Sequence, residues 1–519
     1  MVLNPKIIFS AFFLIFISIF LSSQTIDITI LFTGDSSGHP LQFDYMQQKG
    51  VGGFGARSTI FKRITGDKSN ENILILDTGG IVNGRAESNL FNGLPDIEGM
   101  NILKYDATGI GFAEINRDKD YFDSLNSSAD FYFLCANLKT LNKQQQETDI
   151  TDEYYIKKFG GLKGIKVAVF SVISDEAINY LSEDGKKEFV IKNPIDKAKE
   201  IVNTLKNKEK ADIIIALTYM GYYPDKSKFG SQTLAEEVSG IDLIIDGRTG
   251  YKFNKPVEIN NTRIFQTSKL GLHVGEIKLK YENKQIIQVD FKQNPVNYMD
   301  TEDEVEIIDE DPKTVNLVKK KMRNLDKLLD RQLTVLKNNN LDSRGIREGE
   351  TSMGNMICDA IVEHFGIDIA FQHAGGIAEA LINPDNAVNR KTFNEVIKYD
   401  NSIYISIMSG KKIKELLRFS LARKGYGPFL QVGGLSFTYT ESTNTILDIK
   451  VNGEVIEDEH LYSVAFNSWI AEGGDGYQIL KNHIDKDDMN ITLREVVYEY
   501  LSKRDEYSPV LDRRINIIE

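Results

Sequence analysis

The sequence predicts a two-domain α/β protein, and three observations carry that prediction. Short apolar runs alternate with polar, helix-patterned segments from Ile26 to about Asp300. An acidic patch and an amphipathic helix then separate this half from a second, Gly-rich one. At 519 residues the chain is too long for one core; at about 150 residues per domain, large α/β units favour two.

Residues 1–23 read as a signal peptide. Lys6 precedes an apolar run from Ile7 to Leu21 that ends in small residues, with cleavage expected near Ser23. The run falls short of the roughly 20 apolar residues a span needs, and no later segment has that character, so no stable membrane span is expected after cleavage. The expected destination is export, to a periplasm or the extracellular space. Residues 24–311 form the first domain. Its runs "IDITILF", "NILILD", "FYFLCANL", "IKVAVFSVI", "ADIIIALTYM" and "IDLIIDG" are rich in β-branched residues and read as buried strands. Helices between them imply parallel or mixed sheets covered on their faces. Ligands in such folds bind beyond the carboxyl ends of the strands, so the loops at Asp35, at Gly79 and at Asp246–Arg248 are where chemistry should sit.

Residues 312–336 read as a connector helix, with Val315, Val318, Met322, Leu325 and Leu329 at steps of three and four. The acidic run before it is a solvated face. Residues 337–519 form the second domain: helix "GNMICDAIVEHF", strand "IDIAFQHAGG", a helix around Lys411–Ala422, three β-rich segments and a final helix.

Composition excludes some functions. The net charge of −13 and the pI near 5.2 argue against a broad nucleic-acid surface, which needs clustered Lys and Arg. The two cysteines, Cys135 and Cys358, each lie in an apolar run and read as buried free thiols; no Cys/His metal spacing occurs.

Several strings fall in a telling order: "LFTGDSSGHPLQFDY", "VGGFGARSTIFKRI", "NILILDTGGIVNG", "YDATGIGFAEIN", "IALTYMGYY" and "GIDLIIDGRTG", then "ETSMGNMICDAI", "IAFQHAGGI", "GPFLQVGGLSFTY" and "AEGGDGYQIL". From about Thr25 to Glu519 the chain resembles the secreted 5'-nucleotidase family, which joins a calcineurin-like metallophosphoesterase domain to a 5'-nucleotidase C-terminal domain. The resemblance implies a four-layer-type first domain with mixed sheets and an α/β second domain. It also implies phosphoester hydrolysis by two divalent metals, Zn, Mn or Mg, that clamp the phosphate and supply hydroxide.

Carried over residue by residue, the family's metal site is largely absent. In the family's Asn-Asp-x-His string, Asp35 remains and Ser37 replaces the His; His39 stands two residues on. Gly80 stands where the bridging Asp belongs. The Gly-Asn-His-Glu string reads Gly111-Phe112-Ala113-Glu114, so Phe112 replaces a metal-binding Asn and Ala113 the catalytic His. Asn116 replaces the carboxylate that orients that His. Tyr219 replaces a further His, and the closing Gly-Gly-His-x-His string ends in Arg248 and Gly250. Asp35 with one or two histidines cannot assemble a dinuclear site. No cofactor is therefore expected, and a divalent pair only if the family's activity persists. Phe112, Ala113 and Tyr219 are expected to fill the vacated space. Three placements stay open for Arg248: paired with Asp35 or Asp246, turned to solvent, or holding a phosphate.

In the second domain the family holds a nucleobase between two rings, which the resemblance assigns to Phe429 and Tyr477. Stacking on such rings is worth about 1–3 kcal/mol per base. Arg347 matches a family phosphate-contacting Arg, with Arg344 as a nearby substitute. The family's Asn-Gly-Gly-Gly-Ile-Arg string becomes His373-Ala374-Gly375-Gly376-Ile377-Ala378, and the Gly-rich rim brings Asp475. Expected substrate-binding residues are thus Phe429, Tyr477, Arg347, His373, Gly375, Gly376 and Asp475. The functional expectation is an exported relative that binds a nucleoside or nucleotide without hydrolysing it. The alternatives are an active phosphohydrolase acting on nucleotides or UDP-sugars with altered metal use, and an interaction scaffold with a protein partner.

Overall fold

A computed structural model describes residues 25–518, apart from 46–47, 67–71, 143–145, 162–163, 182–184, 225, 227–228, 300–305, 398, 400 and 484. The leader at 1–23 lies outside the described residues. The described chain divides into two compact units: residues 25–36, 52–81 and 97–315, and residues 37–51, 82–96 and 316–518. Two short excursions from the first half of the sequence thus pack with the second unit, which no compositional boundary announced.

The first unit is built on two six-stranded mixed sheets. One runs β12-β11-β1-β2-β3-β4, with β1 (Ile26–Thr33), β2 (Ile73–Asp77), β3 (Ala107–Thr108), β4 (Tyr132–Phe133), β11 (His273–Glu282) and β12 (Gln285–Pro295). The other runs β9-β10-β8-β7-β6-β5, with β5 (Tyr154–Phe159), β6 (Ile165–Ile173), β7 (Ile213–Tyr219), β8 (Leu243–Asp246), β9 (Val257–Ile259) and β10 (Thr262–Gln266). The centres are parallel, β1 with β2 and β6 with β7 and β8, while the hairpin strands at the margins are antiparallel. Alternation does the sorting. Ile28, Ile30, Leu74, Val167, Val169, Ile213, Ile215 and Leu243 point into one core between the sheets. Ala168, Phe170, Ile214 and Ile244 point the other way, onto helix Pro194–Thr204. That helix begins where Asn193 accepts from the amides of Ile195 and Asp196, with Pro194 in its first turn. It buries Ile195, Ala198, Ile201 and Val202 along one stripe. "FYFLCANL" is strand only at Tyr132–Phe133. Beyond it the chain leaves the sheet, and Ala136 N–H bonds to Ser171 O instead.

The connector departs from expectation. It is helical over Pro312–Lys321 and again over Leu325–Leu329, broken at Asn324, which takes a left-handed φ of 67°. Residues Gln332–Leu336 then form a strand, with Thr334 and Leu336 buried, so the helix does not reach 336.

The second unit centres on a five-stranded sheet ordered β15-β13-β16-β14-β17: β13 (Ile369–His373), β14 (Ser402–Ser409), β15 (Leu430–Gly433), β16 (Leu461–Asn467) and β17 (Lys486–Thr492). Helix Ser352–Phe365 covers it through Met353, Met356, Ile357, Ala360 and Ile361. Thr351 caps its start by accepting from Gly354 N–H at 3.1 Å, and left-handed Gly366 ends it. Strands β13 and β16 are parallel and β14 is antiparallel to β16. The ends of two strands and the start of a third therefore meet at one edge.

Candidate functional site

Two places collect polar side chains at strand ends, one in each unit. In the first unit, Asp35 follows β1, Gly80 follows β2, Tyr219 ends β7 and Arg248 follows β8. Asp35, 2% exposed, accepts from the Arg248 amide at 2.6 Å and from the Tyr219 hydroxyl. Burial pushes its carboxyl up to about 7 against those two hydrogen bonds. A Cβ on Gly80 would lie 2.8 Å from Asp35 Oδ1 and 2.8 Å from the Tyr219 hydroxyl, so the space a side chain would need there is filled. Phe112 packs edge-on to Tyr219 with centroids 5.1 Å apart, and Ala113 is buried beside it in the sequence.

Arg248 does not turn to solvent, and its guanidinium finds a partner other than the two expected aspartates. Its guanidinium is buried, lies 4.9 Å from the Phe112 ring centroid and pairs with Glu176 at 2.7 Å. Its backbone amide donates to Asp35. Asp246 is engaged elsewhere, accepting from Thr218 at 2.7 Å, Ser231 at 3.0 Å and Gly221 N–H at 3.1 Å; burial raises it to about 6. Asp77 accepts from Thr33 at 2.5 Å and from Gly79 N–H at 2.8 Å.

Glu114 organises the loops. Fully buried, it accepts from the amides of Gly111 at 2.7 Å, Ile81 at 2.7 Å and Gly80 at 3.0 Å. One carboxylate thus ties the turn after β2 to the short helix Phe112–Ile115, which Asn116 closes. Ser37 falls in the second unit, its carbonyl accepting from His39 Nδ1 at 2.6 Å, and Gly250 adopts a φ of 66°. The remaining carboxylates are therefore engaged by hydroxyls and amides of the fold. Among the described residues no three His, Cys, Asp or Glu side chains are arranged to hold a metal ion. These residues do not fit the dinuclear pair that the fold implies.

In the second unit a cavity of about 90 Å³ opens at the meeting strand ends, room for several water-sized groups. His373 ends β13, Asn401 directly precedes β14, and Trp469 lies two residues past β16; Tyr399, Gly375, Gly427 and Asp475 complete the wall. His373 Nδ1 accepts from the Asn467 amide at 2.7 Å, which places the ring proton on Nε2. Burial holds this imidazole neutral, its pKa lowered to about 3. Nε2 stands 4.0 Å from Asp475 Oδ2, too far for a hydrogen bond. Asp475 takes a left-handed φ of 54°, accepts a hydrogen bond from Trp469, and has its carboxyl raised by burial. Gly474 lies flat on the indole, where a Cβ would come within 2.3 Å of the ring.

The ring pair named from the sequence lies elsewhere. Phe429 and Tyr477 are both 0% exposed and belong to the core. Tyr477 packs on Phe419 with centroids 4.6 Å apart and donates to Pro428 O at 2.5 Å. The aromatic walls are Tyr399 and Trp469 instead, and sequence reasoning missed both along with Asn401 and Gly427. Of the expected residues, His373, Gly375 and Asp475 come together at the wall. Gly376 packs against the His373 ring. Arg347 is exposed and reaches Asp475 by charge alone; Arg344 pairs with Asp342 at 2.8 Å. A usable signal existed: Trp469 is the chain's single tryptophan and stands just before the Gly-rich rim.

Two facing mixed sheets followed by a pocket-bearing α/β unit define the class: a calcineurin-like phosphoesterase fold joined to a 5'-nucleotidase C-terminal domain. Residues 331–482 match the family model described as "5'-nucleotidase, C-terminal domain". The chain is 26% identical over 525 residues to a 5'-nucleotidase of Vibrio vulnificus, covering 93% of this chain and 91% of that one. It is 27% identical over 540 residues to the trifunctional nucleotide phosphoesterase protein YfkN of Bacillus subtilis, covering 94% of this chain but only 35% of that protein's length. The fold matches the NAD nucleotidase NadN of Haemophilus influenzae with a TM-score of 0.75 at 18% identity, over 96% of this chain and 100% of that one. Residues 331–482 thus belong to the 5'-nucleotidase C-terminal domain family, and the chain as a whole is similar to 5'-nucleotidases.

Proposed function

We propose that this chain is an exported family member that binds a nucleoside- or nucleotide-type ligand in its second unit and does not hydrolyse phosphoesters with a metal pair. The observation that carries the binding reading is the cavity between Tyr399, Trp469, His373 and Asp475. Aromatic walls stack a base without reading its edge, and the polar groups offer direction. The packing of Tyr219 and Asp35 against Gly80 supports the absence of metal chemistry. Export rests on the apolar run from Ile7 to Leu21. No described helix is long and apolar enough to cross a membrane.

A second reading, the family's usual phosphohydrolase role, is favoured by the names of the relatives and by the span of the match to the Vibrio protein. One experiment separates the two. Calorimetry with adenosine, AMP and a UDP-sugar is run beside AMP turnover in Mn, Zn or Mg and a measurement of bound metal. Binding without turnover, and with metal content near zero, is the expected result. Turnover above a heat-killed control selects the hydrolase; no binding to any of the three ligands removes the binding reading.

A further inference from the structure

Outside the wall of that cavity, the second unit sets a lysine against a base. Lys412 lies in the first turn of helix Gly410–Leu421, partly exposed, and its Nζ donates to His483 Nδ1 at 2.6 Å. His483 follows the short helix Gln478–Lys481, so two helices bring an amine and an imidazole together. Neighbouring lysines are held differently. Lys414 Nζ pairs with Asp458 at 2.7 Å, and Lys486 Nζ donates to the carbonyls of Ala471 at 2.5 Å and Leu480 at 3.0 Å. Carboxylates and carbonyls favour the charged ammonium; a neutral imidazole nitrogen can take a proton from it.

The surroundings favour the neutral amine. Burial lowers the Lys412 pKa, with the Glu415 charge opposing. The start of a helix disfavours a cation as well. Burial also lowers His483, with the Lys412 and Lys486 charges acting the same way and Asp485 against them. With its Nδ1 accepting, the ring carries its proton on Nε2. An amine that donates one N–H to this ring keeps its lone pair for an electrophile.

We propose that Lys412 is an acylation site for small acyl phosphates, with His483 as the base that takes its proton. Lys412 Nζ attacks the carbonyl carbon and forms the amide bond. The bond from that carbon to the phosphate oxygen breaks, and phosphate leaves with the electron pair. The proton lost by Nζ passes to His483 Nδ1 and then to water. The product is a neutral amide, so the start of the helix loses a positive charge.

Peptide mass spectrometry on the whole chain exposed to acetyl phosphate tests this, read as the acetylation rate at each lysine. Lys412 is expected to react about tenfold or more faster than Lys411, which shares its helix turn, and than Lys414. His483→Asn keeps a hydrogen-bond acceptor near the position of Nδ1 but removes the base, and should bring Lys412 down to the rate of Lys411. The comparison among lysines uses the unaltered chain and so stands even if the variant misfolds. Equal rates at Lys412 and Lys411 in the unaltered chain overturn the assignment. A folded His483→Asn chain in which Lys412 keeps its lead overturns it too.

Discussion

The two units treat their strand ends in opposite ways. In the first, Asp35, Asp246, Asp77 and Glu114 meet donors supplied by the fold itself: hydroxyls of Tyr219, Thr218, Ser231 and Thr33, and backbone amides. In the second, His373 and Asp475 stop 4.0 Å short of each other around open space. Buried polar groups must be satisfied somewhere. Where the fold satisfies them, a site closes into structure; where it leaves them facing a cavity, a ligand can.

That contrast breaks most visibly at Phe429. If this ring is core and not wall, Phe429→Ala should destabilise the chain by about 3–5 kcal/mol, read as a lowered midpoint in urea. A stable variant that loses only ligand affinity would return the ring to the pocket. Next in size is Glu114→Ala, which strands three buried amides. A loss of about 3 kcal/mol or more is expected, with Glu114→Gln milder because one oxygen still accepts. A loss below about 1 kcal/mol would show that the loops of the first unit do not depend on this carboxylate.

Trp469→Ala sharpens the other side of the comparison. It should weaken nucleoside binding about tenfold or more, since stacking contributes about 1–3 kcal/mol. Unchanged affinity would take Trp469 out of the wall. The smallest effect concerns pH. Burial raises Asp35 from 3.8 to about 7, so across that window the folded chain holds more protons than the unfolded one, and stability falls as pH rises. Wild type should therefore lose stability relative to Asp35→Asn between about pH 4 and pH 7, and the difference should level off above. Parallel curves for the two proteins would show that Asp35 ionises freely.

Much of the fold was legible because its signals are local. Apolar runs with β-branched residues became β1, β2, β6, β7 and β8, and the helical stripe "GNMICDAIVEHF" lies within Ser352–Phe365. The site was only half legible. His373, Gly375 and Asp475 sit in strings whose glycines advertise close approach, but a string does not say which way a ring turns. "GPFLQVGG" and "GGDGY" offered Phe429 and Tyr477, and packing sent both inward. Tyr399 and Asn401 stand in "KYDN", which carries no such string. They reach the cavity because antiparallel β14 begins where parallel β13 and β16 end. The Glu176 partner of Arg248 was illegible for a similar reason. The positive φ of 77° at Arg248 aims the amide at Asp35 and leaves the guanidinium to Glu176, and sequence does not show that turn.

Gly80 carries a consequence for engineering. Any carboxylate installed at position 80 collides with the Tyr219 hydroxyl and with Asp35 while Tyr219 is present, and it must also adopt a backbone φ of 69°. Installing a metal-binding side chain there is therefore not a single step. Tyr219 has to shrink first, which opens a void in a packed interior before any ligand is gained. The order of substitutions is forced, and its first member is a cost without a benefit. A laboratory library seeking metal chemistry should vary 80 and 219 together.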